Sequence, residues 1–507
     1  MKPLLRLFLA IVSGAVARAA WPVVDTGQTA CYDNTAAIPA PAADRPFFGQ
    51  DAQYAGTPAA YHDNGDGTVS DLNTGLMWSQ AVDTEKLSLI EAEAAASRLS
   101  LAGHTDWRVP TIKELYSLID FRGYTGLAEP SDTTAPRSAI PFIDTDYFAF
   151  RYGGNGERYI DAQWLTSTKY VSTTMGGIPT LFGVNFADGR IKGYGYADSK
   201  SRGFGPPPPR PEKKFYVRYV RGATGYGVNN FVDNHDGTVT DRASGLTWQQ
   251  TDSGRGMDWQ HALAYAENLA LAGHDDWRLP NAKELQSIVD YTRSPDTTDS
   301  PAINPVFATT AITNEAKQKD WPFFWTSTTH LDGPDSRQAA YVCFGRGIGQ
   351  MHGEVMDVHG AGAQRSDPKT GSAHIGHGPQ GDAQRILNFV RCVRGGVAKL
   401  TVTPVNTTTD SSRYPLTIRV SGQSYLPEKI SLPPGGLRPP TAPDAPDRSG
   451  NAASSRAGFI QHLDRDHDGK ISRSEFDGPP DGFDHFDRNH DGFISSDEAP
   501  TGPPPGR

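Results

Sequence analysis

The chain has little cysteine, no long apolar run and no excess of positive charge. Its 3 cysteines are an odd number, so at least one would be free or intermolecular in an oxidising compartment. No stretch approaches the roughly 20 apolar residues of a membrane-spanning helix. The formal net charge of −10 disfavours nucleic acid and anionic membranes as partners, because both are bound by basic patches.

The first twenty residues have the pattern of a secretory signal peptide. Lys2 and Arg6 supply the positive start, an apolar run extends from Leu7 to Ala17, and Ala17-Arg-Ala19 matches a small-x-small cleavage site. We therefore expect residues 1–20 to be removed. The mature protein is expected to be exported, with a periplasmic, cell-surface or secreted location.

An internal repeat dominates the rest of the sequence. Asp63-Asn-Gly-Asp-Gly-Thr-Val-Ser-Asp71 returns as Asp233-Asn-His-Asp-Gly-Thr-Val-Thr-Asp241, and Leu101 to Pro110 returns as Leu271 to Pro280 at the same spacing. A period this long indicates tandem globular domains, since solenoid repeats run to roughly 20–50 residues. The predicted organisation is an N-terminal segment at 21–47, a first copy at 48–222, a second copy at 224–396, strand-like pieces and a Pro-rich linker at 397–456, a small module at 457–499 and a tail at 500–507.

Both copies present the same local signals in the same order. Asp-Gly turns between Thr-Val residues predict hairpins at Asp66-Gly67 and Asp236-Gly237. Helix starts are predicted where a capping residue precedes an apolar face, at Ser88, Thr111, Asp258 and Asn281. The remainder is strand-like and rich in Gly and Pro, so we predict an α+β fold.

The ordered blocks resemble a known family. Asp-Gly-Thr-Val-x-Asp, Gly-Leu-x-Trp, Trp-Arg-Val/Leu-Pro-x-x-x-Glu-Leu, Thr-Ser-Thr and Val-Arg-x-Val-Arg-Gly together resemble the Lcl C-terminal domain of bacterial exported proteins. The Trp-Arg-Leu-Pro-x-x-x-Glu block also resembles that of formylglycine-generating enzymes. This resemblance implies two tandem C-type-lectin-like domains with long loops, and it implies no particular reaction.

The repeated charged residues admit two interpretations each. Asp106, Arg108, Asp276 and Arg278 are candidates either for catalysis or for holding the scaffold, and the scaffold is favoured because charge pairs beside a helix start are usually structural. The acidic turns at Asp63 to Asp71 and Asp233 to Asp241 fit either a small calcium loop or a tight hairpin. We favour the hairpin, because such turns require Asn, Asp and Gly.

Two of the cysteines are candidates for a disulfide. Cys343 corresponds to Asn185 of the first copy and Cys392 corresponds to Tyr219, so the second copy has gained two cysteines together. A joint difference is easiest to understand if the two positions touch, because a disulfide holds Cα atoms roughly 4.4–6.8 Å apart. We predict a Cys343–Cys392 disulfide, with Cys31 unpaired; two unrelated buried thiols are the alternative.

The clearest chemistry lies near the C-terminus, in two twelve-residue loops that resemble a pair of EF-hands. Calcium takes six to eight oxygen ligands, and an EF-hand loop supplies them from positions 1, 3, 5, 7, 9 and 12 with Gly at 6. The predicted ligands are Asp464, Asp466, Asp468, Lys470 (carbonyl), Ser472 and Glu475 in the first loop, and Asp487, Asn489, Asp491, Phe493 (carbonyl), Ser495 and Glu498 in the second. Ile471 and Ile494 occupy position 8, where paired loops form a short β contact. A small α-helical module that binds Ca²⁺ is therefore predicted, and a merely solvated acidic tail is the alternative.

A second, weaker metal hypothesis concerns the Gly-rich segment from Gly345 to Arg385. It contains His352, His359, His374 and His377 with Glu354, a set that could hold a transition metal. The spacing is irregular, so an unliganded loop is the alternative.

The function predicted from these features is binding. A nucleophile elbow, a phosphate loop and a zinc-protease helix are missing, so we predict a non-catalytic, adhesin-like surface or envelope protein that binds a glycan or protein. Long inserts before the closing strand of both copies, Gly193–Lys214 in the first and a Gly- and His-rich segment in the second, form the predicted contact surface. Its expected contacts are Tyr194, Tyr196, Arg202 and Phe204, and neutral drift of these loops is the alternative. An oxidoreductase like the formylglycine-generating enzymes, or another metal-dependent enzyme, is the second candidate.

Overall fold

The chain forms two compact units, residues 1–424 and 425–507. A computed structural model describes residues 21–82, 85–126, 131–154, 156–196, 213–333, 335–401, 419–421, 470–473, 483 and 491–495. These residues form a strand-rich α+β architecture. Among them, no helix has both the length and the apolar character that crossing a membrane requires. The predicted signal peptide lies outside the described residues.

The first of the described segments, residues 21–55, is called the N-terminal strap here. Its elements are β1 (Cys31–Tyr32), β2 (Ala37–Ile38), a 3₁₀ helix (Asp51–Gln53) and β3 (Tyr54–Ala55). The strap packs on the second copy: the Phe47 ring lies 6.3 Å from that of Trp259, and the Trp21 backbone N–H donates to Ala243 O. Residues 48–55, predicted to begin the first copy, also contact the second, since Asp51 Oδ2 accepts a hydrogen bond from Thr328 Oγ1 at 2.6 Å.

The first copy follows the predicted order of elements. These are β4 (Tyr61–Asp63), β5 (Thr68–Asp71), β6 (Met77–Ser79), α1 (Leu89–Ala96), α2 (Ile112–Tyr116), β7 (Gln163–Thr174), β8 (Ile178–Asn185), β9 (Arg190–Gly195) and β10 (Val220–Arg221). The predicted capping boxes are present, because Ser88 caps α1 and Thr111 caps α2, each with a Glu three residues later.

The second copy repeats this order and adds strands. Its elements are β11 (Phe231–Asp233), β12 (Thr238–Asp241), β13 (Leu246–Gln249), α3 (Trp259–Glu267), α4 (Ala282–Ser287), α5 (Pro295–Thr298), β14 (Ile312–Thr313), β15 (Lys319–Asp320), β16 (Phe323–His330), β17 (Gln338–Cys343), β18 (Ile348–Met351), β19 (Glu354–Asp357), β20 (Gln364–Pro368), β21 (His374–His377), β22 (Asp382–Gln384) and β23 (Val393–Arg394). Asp258 and Asn281 cap α3 and α4 as predicted. After it, β24 (Ala398–Thr401) pairs with both β3 and β25 (Arg419–Ser421).

Strands of the two copies join in one six-stranded sheet. Its order is β16-β17-β20-β9-β8-β7, so three strands of the second copy lie beside three of the first. The junction is the antiparallel pairing of Gln364 in β20 with Ile191 in β9. The copies are thus tandem in sequence and continuous in hydrogen bonding. This continuity explains why they share one compact unit instead of forming two.

A reciprocal pair of lysines, of which Lys283 is buried and Lys113 partly buried, also joins the copies. Lys113 Nζ in α2 donates to Ser287 O at 2.7 Å, and Lys283 Nζ in α4 donates to Ser117 O at 2.9 Å. Lys113 and Lys283 occupy equivalent positions, and so do Ser117 and Ser287. Each copy therefore presents the same surface to the other, as in a symmetric homodimer.

One large hydrophobic core contains residues of both copies. It includes Trp78 and Trp164 of the first copy and Trp248 and Trp325 of the second, all fully buried. A smaller core lies between α1 and the sheet of the first copy, around Trp107. The shared core places both copies in one folded body.

Candidate functional site

The repeated charge pairs hold the scaffold of each copy. Arg278 donates two hydrogen bonds of 2.6 Å to the Glu284 carboxylate, and Arg108 donates bonds of 2.7 and 2.6 Å to Glu114. Each glutamate also accepts the backbone N–H of its helix cap. Asp106 and Asp276 bind arginines of the closing strand, Arg221 and Arg394, each at 2.7 Å. The described contacts of these residues are thus those of a scaffold.

The closing Val-Arg-x-Val-Arg blocks contain a role that the sequence analysis missed. Arg391, fully buried, donates to the carbonyls of Gln249 (2.9 Å) and Ala308 (2.9 Å), and so ties two loops together. Arg218 of the first copy bonds the carbonyls of Gln80 (2.9 Å) and Ala149 (2.6 Å) in the same way. Burial lowers the pKa of Arg218 to about 9 and that of Arg391 to about 10. The sequence signal that could have revealed this role is the presence of the same Val-Arg-x-Val-Arg motif, with its first arginine, in both copies.

The acidic turns form hairpins. Asp66 Oδ1 accepts from the Thr68 N–H at 3.1 Å, Asp236 Oδ1 does the same with Thr238 at 3.0 Å, and β4 pairs with β5 across the turn. Gly67 adopts φ +86°, the left-handed region in which glycine is favoured. The hairpin interpretation therefore accounts for the Asp, Asn and Gly residues of the two turns.

The predicted disulfide between Cys343 and Cys392 is not formed, because all three cysteines are free and buried. Cys343 ends β17 in the six-stranded sheet, whereas Cys392 precedes β23, which pairs with β13 in a different sheet. Comparison of the two copies identified Cys343 and Cys392 as positions that differ from the first copy. These two positions are nevertheless in different sheets. Burial raises the pKa of Cys31 to about 11 and moves the pKa of the other two thiols further upward.

The predicted histidine cluster is also not formed. Instead of an irregular loop, the segment builds a four-stranded sheet of order β19-β18-β22-β21. His359 is buried with Nε2 at 2.7 Å from Asp382 Oδ1, while His352 lies in an exposed turn and His374 and His377 on exposed β21. Burial lowers the pKa of His359 to about 4. Within the described ranges, no group of three or more His, Cys, Asp or Glu side chains could hold a metal ion.

The predicted ligand contacts divide into three kinds. Tyr194 is wrong as a surface contact, because it belongs to β9 and packs in the smaller core with its ring 5.7 Å from that of Phe215. Tyr196 is partly exposed, with Lys169 Nζ 5.6 Å from the centre of its ring. Arg202 and Phe204 lie outside the described residues.

The second compact unit contains a contact between the two predicted calcium loops. β26 (Ile471–Ser472) pairs antiparallel with β27 (Phe493–Ile494), and the register places Ile471 opposite Ile494. The predicted contact at position 8 is therefore confirmed. Of the predicted ligands, Lys470, Ser472, Asp491, Phe493 and Ser495 are described, and the other seven, Asp464, Asp466, Asp468, Glu475, Asp487, Asn489 and Glu498, lie outside the described residues.

Comparison with known families agrees with the repeat. The Lcl C-terminal domain matches residues 67–206 and 237–359, which together exceed half of the chain. The chain therefore belongs to the Lcl C-terminal domain family, which is not a known enzyme family. No curated protein and no solved structure matches the chain.

Proposed function

We propose that this chain is an exported, non-catalytic protein that binds calcium through a C-terminal EF-hand pair. In this proposal two C-type-lectin-like domains bind a ligand on a surface or in the envelope. The observation that carries the calcium function is the antiparallel contact between Ile471 and Ile494. Both isoleucines stand at position 8 of loops whose sequences supply oxygen ligands at the spacing that calcium needs.

Further details of the second loop support calcium binding. Gly492, at position 6, adopts φ +88°, as the sharp turn of such a loop requires. The neighbouring carboxylate of Asp491 accepts the Phe493 N–H at 2.9 Å and so helps to hold the turn. The paired isoleucines are fully buried, which stabilises one loop against the other. Two ions are therefore expected, with affinities of roughly 10⁻⁴–10⁻³ M as in extracellular modules.

Calorimetry on the mature chain tests the calcium sites. We expect two calcium ions per chain in the wild type and none in the Asp464→Ala, Asp487→Ala double variant, because each loop loses its first carboxylate ligand. The matched control is Asp66→Ala with Asp236→Ala, which removes the acids of the two hairpins and should leave the calcium heat intact. An unchanged heat in the first variant, or its loss in the control, contradicts the assignment.

We propose that the insert of the first copy, Gly193–Lys214, contacts the glycan or protein ligand. Its polar and aromatic candidates are now Tyr196, Arg202 and Phe204, since Tyr194 is a core residue. The support is the difference between the copies: the second copy builds extra strands at the equivalent place. A shared core with different inserts suits a scaffold whose loops vary for binding.

Exchange of residues 197–212 for a short Gly/Ser linker tests this surface. On an array of glycans and envelope proteins, binding by the mature chain should be lost in the variant. The melting temperature should stay nearly unchanged, because the exchanged residues lie beyond β9. Binding that survives the exchange would contradict the proposed surface.

The oxidoreductase alternative is not favoured, because buried thiols with raised pKa are poor nucleophiles.

A further inference from the structure

The N-terminal strap is joined to the second copy by the buried carboxyl group of Asp51. Asp51 Oδ2 accepts hydrogen bonds from Thr26 Oγ1 within the strap (2.8 Å) and from Thr328 Oγ1 in β16 (2.6 Å). Asp51 is only 3% exposed. Thr328 Oγ1 also accepts the first N–H of α4, from Ala282, at 3.0 Å. Asp51 thus links the strap to the six-stranded sheet, and Thr328 extends this link to the start of α4.

The strap also covers part of an edge strand. Strand β16 lies at one end of the six-stranded sheet. Near its end, Gln28 Nε2 donates to Thr329 O at 2.8 Å and Gln28 Oε1 accepts the Thr329 N–H at 2.9 Å. The side-chain amide thereby occupies backbone groups that an added strand would use. Release of the strap would uncover them, and an open edge can pair with another chain.

The surroundings of Asp51 disfavour its negative charge. The pKa of Asp51 is raised to about 7: burial is the largest cause, the carboxylates of Asp25 and Glu284 act in the same direction, and the two threonine hydroxyls oppose the shift. Arg278 and Lys283 interact electrostatically with Asp51, but their hydrogen bonds go elsewhere: Arg278 binds Glu284, and Lys283 Nζ donates to Asp25 O and Ser117 O. The titratable groups facing Asp51 from the strap, α2, the turn before α4 and α4 itself are Asp25, Cys31, Tyr116, Arg278, Lys283 and Glu284.

We propose that the N-terminal strap is a pH-sensitive clasp, held on the second copy while Asp51 carries a proton and loosened when that proton is lost. The ordinary pKa of the carboxyl, 3.8, applies once the strap opens into water. Between about pH 4 and pH 7 the closed form therefore binds more protons than the open form. Linkage then makes opening more favourable as pH rises, by about tenfold per pH unit, with a plateau above the closed-state pKa.

Hydrogen exchange of the mature chain tests the clasp. Protection factors of backbone amides in residues 24–57, corrected for intrinsic rates, give the opening constant of the strap. This constant should rise about tenfold per unit between pH 5 and 7 and level off near pH 7.5. In Asp51→Asn it should be independent of pH, because a neutral amide has no proton to lose. Asp33→Asn, a change at a partly exposed carboxylate of the same strap whose Oδ1 acceptor the amide retains, should keep the wild-type profile.

A second variant separates titration from packing. Thr26→Val keeps the shape of the side chain but removes a hydroxyl that stabilises the carboxylate, so the plateau should begin at higher pH. A wild-type opening constant that does not change with pH overturns the proposal. So does a pH slope that persists in Asp51→Asn, or a plateau that Thr26→Val leaves in place. This measurement does not depend on calcium binding. The clasp proposal and the calcium-site proposal are therefore tested independently.

Discussion

Replacement of Arg278 by methionine should lower the free energy of unfolding by about 3–5 kcal/mol, the range found when one partner of a buried ion pair is removed. The Arg278 and Glu284 side chains are each 3% exposed. The variant leaves the Glu284 carboxylate buried without its cation, at the point where it caps α4. Urea denaturation followed by circular dichroism measures the change.

The duplicated sequence supplies a matched control for this variant. Arg108 makes the same two bonds to Glu114 in the first copy, but its side chain is 26% exposed. Water can partly replace it, so Arg108→Met should cost clearly less than Arg278→Met. Adding Glu284→Gln to Arg278→Met should recover part of the loss, because the unpaired charge is removed. Equal costs for the two arginines, with no recovery in the double variant, would contradict this account.

Replacement of Lys283 by methionine should destabilise both copies together. The change removes the donor to Ser117 O in the first copy and to Asp25 O in the strap. Ser117 is buried, and a buried acceptor left unpaired costs about 1–3 kcal/mol. Lys113→Met, the reciprocal change, should act similarly through Ser287 O. Scanning calorimetry should give one transition for both copies, at a lower temperature in each variant.

Separate transitions for the two copies in either variant would contradict the cooperative interface. A surface change, Lys319→Met, provides the control. Its salt bridge to Asp299 joins side chains that are 57% and 78% exposed, so its loss should have little effect on the transition.

Local features of this fold followed from the sequence, because their causes lie within a few residues. Capping residues such as Ser88 and Asn281 satisfy free N–H groups within one turn, and the Asp-Gly turns bring adjacent strands together. The continuous sheet could not be predicted in this way. Nothing in the residues of β9 specifies that its partner is β20, which lies over 160 residues away in sequence. Likewise, the short strands of the strap give no sign that it packs on the second copy.

The candidate sites show the same division between local and distant information. The proposed calcium loops could be recognised in the sequence because all the expected ligands of each loop fall within twelve residues. The disulfide prediction failed because alignment of the two copies shows that the positions of Cys343 and Cys392 differ from the first copy. It gives no information on the distance between the two cysteines. Tyr194 was misplaced because β9 continues to Gly195. Arg218 and Arg391 were missed although the repeated motif contains them, because their partners are carbonyls of distant loops.

The most direct test of the central claim, that two family domains form one cooperative body, is native-state hydrogen exchange of the protein across a denaturant series. Amides in β8 and β9 of the first copy and in β17 and β20 of the second should share one opening free energy and one dependence on denaturant. Opening of β17 and β20 at a much lower free energy than β8 and β9, or the reverse, would contradict the claim. That result would mean that each copy folds by itself.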